Sequence, residues 1–161
     1  MPAIAILLTL LGLVPMIFFA IGALSHIPGT AERMLVFLID YASLMLAFAG
    51  GVHWGLALES GAGESGAGAG VARPSLRFGA GVLPMVVAWV ALILGQFVAP
   101  AVALAVLIAA YLAAISIEHR AARRLLMPSG YVWLRWVVSV VAVGAMAMVL
   151  ILRGVGQTIV F

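Results

Sequence analysis

From Phe78 to Ile117 the chain runs for forty residues without a single charged side chain. At 1.5 Å per residue one helix of that length would measure about 60 Å, roughly twice the hydrocarbon thickness of a bilayer. The stretch must therefore fold back on itself. Gly95-Gln96 and Pro100 mark the turn, which predicts spans near 78–95 and 99–117 joined by a very tight hairpin. The rest of the 161 residues is of the same kind: 66% hydrophobic and 8% charged. Soluble domains average about 25% charged residues, and a chain of this size lacks the polar side chains to cover its own surface in water. A soluble enzyme, a disordered tail and, with Cys at zero, a disulfide scaffold are excluded.

The expectation is an all-α integral membrane bundle of five transmembrane helices in one membrane domain, residues 1–161. The first span covers 3–24, with Pro15 inside it, and the second 34–58, interrupted only by Asp40 and His53. A Gly-rich linker, 59–77, precedes the hairpin. The fifth span covers 131–152. The first run exceeds the apolar core of a signal peptide and has no basic residue before it, so it reads as a retained span. Thr30 stands where a helix cap would sit, with Arg33 in place of the Glu or Gln that completes a capping box.

Every basic residue is Arg. In a five-span topology Arg73, Arg77, Arg120, Arg123, Arg124 and Arg135 share the side of the N-terminus, against Arg33 and Arg153 on the other. The positive-inside rule then places the N-terminus in the cytoplasm and the C-terminus outside. The arginines sit singly or in small groups beside apolar runs, a pattern of membrane orientation and not of nucleic-acid binding. Arg120, Arg123 and Arg124 ahead of Leu125-Leu126-Met127 read as a short basic helix on the inner surface. Tyr131, Trp133 and Trp136 read as an interfacial aromatic belt.

Within the second span Ser43, Ala47, Gly51 and Gly55 recur every four residues, a ladder of small residues that admits another backbone. Asp40 is an ionisable residue inside the span, a functional candidate by default, with a partner in Arg33 or Arg153 as the plain alternative. His53 lies thirteen residues on, about 220° around and about 20 Å along the helix, so the two form no acid–base pair. His53, Trp54, Tyr131 and Arg135 share an inner depth and form a candidate pocket for an anionic lipid head group or a quinone ring; the alternative is a snorkelling Arg135 and a packing histidine. No metal-ligand spacing, no catalytic residue and no cofactor site is found. Gly61-Ala-Gly63-Glu-Ser-Gly66 matches G-x-G-x-x-G but follows no strand, and is a chance match in the linker.

Three stretches carry a family resemblance: Leu11-Gly-Leu-Val-Pro15-Met-Ile-Phe, Tyr41 to Gly55 with its Gly50-Gly-Val-His-Trp-Gly55 core, and Pro128-Ser-Gly-Tyr131-Val-Trp-Leu-Arg135. They resemble the domain of unknown function numbered 3429, bacterial relatives of the mitochondrial transmembrane protein 69. The resemblance spans nearly the whole chain and implies a five-helix bacterial inner-membrane protein; it supplies no catalytic residues. Two function classes follow. One is an accessory or assembly subunit of a larger membrane complex, respiratory by the mitochondrial relative. The other is a binder or transporter of quinone, lipid or anion through the inner pocket.

Overall fold

The computed structural model describes residues 3–27, 29–62, 74–123 and 129–156. Among these every element is a helix: α1 (Ala3–Leu11), α2 (Leu13–Gly22), α3 (Thr30–Ala62), α4 (Pro74–Phe97), α5 (Pro100–Arg123) and α6 (Ser129–Gly154). Three stretches are long and apolar enough to cross a membrane, Thr30–Val52, Pro100–Arg120 and Trp133–Gly154; Ile6–Gly22 and Gly81–Phe97 are shorter apolar helices.

The first span is one helical run with an irregularity at Gly12, which keeps helical dihedrals (φ −63°, ψ −17°) and donates to the Leu8 carbonyl. Pro15 has no N–H to offer the carbonyl of Leu11, so the helical ladder lacks that bond and Gly12 stands between α1 and α2. The Tyr41 hydroxyl donates to the Gly12 carbonyl at 2.6 Å and ties this point to α3. Phe19 packs against both Phe37 and Tyr41 and fixes the phenol's direction. The hairpin between α4 and α5 turns at Val98-Ala99, two residues past Gly95-Gln96, and Pro100 opens α5 where a missing N–H costs nothing. Helix α3 starts at Thr30, four residues before the expected span. Its first-turn Glu32 faces the positive end of the helix dipole.

Helices α2, α3, α5 and α6 form the core, with α6 closing against α2, and α4 lies in the groove between α3 and α5. Buried residues run as stripes, for example Leu104, Leu107, Tyr111 and Ile115 on α5, and Leu38, Ala42, Leu46 and Ala49 on α3. The described residues of α4 bury only Gly81, Ala88 and Ala91, so α4 is an outer helix held by small residues. At its closest, α3 and α4 nearly touch backbones. A Cβ built on Gly50 would collide with the Gly81 carbonyl, and one on Gly81 would collide with the Trp54 indole.

The outside of the bundle is apolar as well as its core. Leu44, Phe48, Trp89, Phe97 and Trp133 stand exposed, while Ser43, Glu118, Arg135 and Ser139 are buried. A hydrocarbon surround suits this arrangement, because apolar side chains lose nothing in lipid and backbone polar groups are satisfied within helices.

Candidate functional site, a buried polar seam

The seam begins on α5. The stripe Leu104, Leu107, Tyr111, Ile115 continues one turn further to Glu118, which is therefore buried although it neighbours the exposed Arg120. Helix α6 enters antiparallel and brings Arg135 to the same depth. Arg135 Nε lies 3.1 Å from both carboxylate oxygens of Glu118. The two side chains are 9% and 4% exposed, so the pair is shielded from water. The guanidinium carbon also stands 6.0 Å from the centre of the Tyr111 ring. Tyr111 in turn donates its hydroxyl to the Ala42 carbonyl at 2.9 Å. One continuous polar chain thus runs from α6 through α5 to α3. His119 and Trp136 meet edge to face beside it, with ring centres 6.0 Å apart.

A buried ion pair gains Coulomb energy in a low dielectric and loses hydration, so its net contribution is small; removing one partner is costly. The seam ties α5 to α6 through Glu118 and Arg135 and α5 to α3 through Tyr111 and the Ala42 carbonyl. Glu118 and Arg135 are neutralised by each other, and the Tyr111 hydroxyl is fixed on a carbonyl. The hydroxyls of Ser43 and Ser139, both fully buried, make no hydrogen bond among the described residues. Among the described residues no three His, Cys, Asp or Glu side chains group as a metal site.

The sequence-predicted residues fall in several places. Arg135 is spent on Glu118 and Tyr111 instead of lining an open pocket or snorkelling. Trp54 faces α4 at Gly81, whereas Arg135 faces α5, so these two attach to different helices. The backbones of His53 and Tyr131 lie in α3 and α6; their side chains are outside the described residues, as are residues 63–73 and 124–128 with most of the linker and the end of the basic segment. Arg120 and Arg123 belong to α5 itself. Trp133 and Trp136 are exposed.

The small-residue ladder divides. Ser43 is buried and Ala47 half-buried against the core, but Gly51 and Gly55 are exposed with open space around them. The close crossing with α4 uses Gly50, one residue before Gly51. Leu44, Phe48, Gly51 and Gly55 recur at three- and four-residue spacing and form one outward stripe of α3, which Phe37, seven residues before Leu44, continues toward the start of the helix. Half-buried Asp40 lies at the edge of that stripe. No hydrogen bond or ion pair to it occurs among the described residues; Arg153 instead donates to the Ala23 carbonyl and pairs with Glu32.

Sequence reasoning missed Glu118, Tyr111 and Tyr41. The usable signal for Glu118 was its phase: seven residues after Tyr111 and three after Ile115, it prolongs the buried face of α5.

The family model described as "Protein of unknown function (DUF3429)" matches residues 1–151. No curated protein and no solved structure matches the chain.

Proposed function

This chain belongs to the DUF3429 family, and from that premise we propose that it is a five-span bacterial inner-membrane protein that works by packing against a larger membrane complex, a respiratory one in the first instance, and not by catalysis. The observation that carries this reading is the outward stripe of α3. A carboxyl group ten residues into an apolar helix is expensive beside lipid and is found at protein contacts. Gly51 and Gly55, four residues apart and open to the outside, are the spacing that lets a second helix approach closely. The interior polar groups support the same reading, since Arg135, Glu118, Tyr111 and Tyr41 are engaged in holding helices together.

Purification in mild detergent is expected to bring down a stoichiometric larger partner. Gly51→Leu with Gly55→Leu should abolish that association without destabilising the isolated bundle, because both sites are open and Leu has the better helix propensity. A protein that runs as a clean monomer with nothing attached overturns the accessory role.

Orientation has its own test. With the N-terminus cytoplasmic and five spans, a reporter fused after Phe161 reads as periplasmic. A cytoplasmic reading there overturns either the span count or the orientation.

A further inference from the structure

The end of the bundle opposite the seam holds a separate feature. Where α3 and α5 begin and α6 ends, a cavity of about 180 Å³ opens between the three helices. Leu35, Ala101, Leu104, Val149 and Leu150 wall it, and Arg153 lines it on the side of the helix ends. Leu104 and Val149 lie four residues inward of Pro100 and Arg153, so the cavity descends about 6 Å, one helical turn. An apolar cavity of about 150 Å³ holds a benzene ring, so there is room here for a short length of hydrocarbon.

Arg153 is aimed but not consumed. Its Nη1 donates to the Ala23 carbonyl at 2.9 Å, which fixes the guanidinium, and its Nη2 reaches Glu32 only at 3.5 Å. Glu32 is 73% exposed, and long, exposed pairs of this kind hold weakly. Guanidinium has five N–H donors and matches the oxygens of a phosphate. We infer that this cavity binds an anionic phospholipid, with the phosphate on Arg153 in place of Glu32 and the first methylenes of one acyl chain against Leu104 and Val149.

Three observations select that occupant. The walls are apolar and the cation stands at one end, so the ligand is an amphiphile with a negative head. The cavity lies at the end of the bundle that carries Glu32, Arg33 and Arg153, the level of the head groups if α3, α5 and α6 cross the bilayer. It is also open, so a membrane lipid enters laterally without unfolding a helix. The inference rests on the membrane-crossing reading and is independent of the accessory role.

The test uses the full chain in nanodiscs of phosphatidylglycerol and phosphatidylcholine in equal amounts, transferred to mild detergent for native mass spectrometry. Phosphatidylglycerol is expected to be retained in preference. Arg153→Gln should lower its retention about tenfold, the loss of one charge-assisted hydrogen bond. Ala101→Trp, which fills the cavity and leaves the contact with Ala23 intact, should do the same. Glu32→Gln removes the competing carboxylate and should raise retention about threefold. Unchanged retention in Ala101→Trp and Glu32→Gln overturns the site, as does equal retention of the two lipids, or a free fatty acid or neutral ring compound held in place of phospholipid. Alkaline carbonate extraction separates the premises. Release of the protein from membranes overturns the crossing itself, whereas a membrane-retained protein without the lipid effects overturns this inference alone.

Discussion

Glu118→Gln is expected to destabilise the bundle by about 3 kcal/mol, because it leaves the Arg135 guanidinium buried and charged without a counter-ion. Gln keeps the shape of Glu and one acceptor oxygen, so the loss reports charge and not volume. The decisive comparison is the double variant Glu118→Leu with Arg135→Met. Apolar groups of similar size replace both charges, and most of the lost stability should return. Thermal unfolding in detergent measures both. A single variant as stable as the parent sinks the assignment, and so does a double variant no better than the single. The neighbouring contact sharpens the expectation. Arg135 lies against Tyr111, and Tyr111 holds the Ala42 carbonyl, so a displaced guanidinium disturbs the α3–α5 contact as well as the α5–α6 one.

The second large effect is expected at Gly50. Gly50→Ala sets a methyl group against the Gly81 carbonyl. That neighbour is backbone and cannot rotate aside, so α3 and α4 must separate. Overpacking of this kind costs about 1–3 kcal/mol, and the rigid partner puts Gly50 at the upper end. The control is one residue away. Gly51→Ala meets nothing within 4 Å, and alanine's better helix propensity should make it neutral or stabilising by up to about 1 kcal/mol. Side by side, the two variants distinguish the register of the α3–α4 crossing. If Gly51→Ala is the damaging one, the helices cross one residue further along than described.

The helices were legible in the sequence because hydrocarbon imposes a coarse rule, a run of about twenty apolar residues, that survives without any packing detail. Thus the run's length required a hairpin, and Gly95-Gln96 with Pro100 located it to within two residues. What was not legible depends on rotation about the helix axis. Gly50 and Gly51 have the same composition and the same depth, and differ by about 100° in the direction they face; only the position of α4 decides which one is crowded. Glu118 was obscured by its neighbours. In Glu118-His119-Arg120 it reads as the start of a solvated turn, and its burial emerges once α5 is followed as one helix to Arg123. The irregularity at Gly12 has its cause in the sequence, Pro15 three residues on, whereas the Tyr41 hydroxyl on the Gly12 carbonyl is a contact that only the packing of α3 supplies. The candidate inner pocket paired residues by depth. Depth is readable from sequence, but the α4-facing direction of Trp54 and the α5-facing direction of Arg135 are not.

The thirty-three residues of α3 have a mechanical consequence. At 1.5 Å per residue the helix is about 50 Å long, more than the whole thickness of a bilayer including its head groups. The window Thr30–Val52 is long and apolar enough to cross a membrane, and the helix continues to Ala62, about 15 Å further. The Gly50–Gly81 contact sits two residues before that extension, and Tyr41 and Ala42, the α3 ends of the two phenol-to-carbonyl joints, lie eight to nine residues, about 13 Å, on its other side. A tilt of α3 about that contact therefore reaches both joints together.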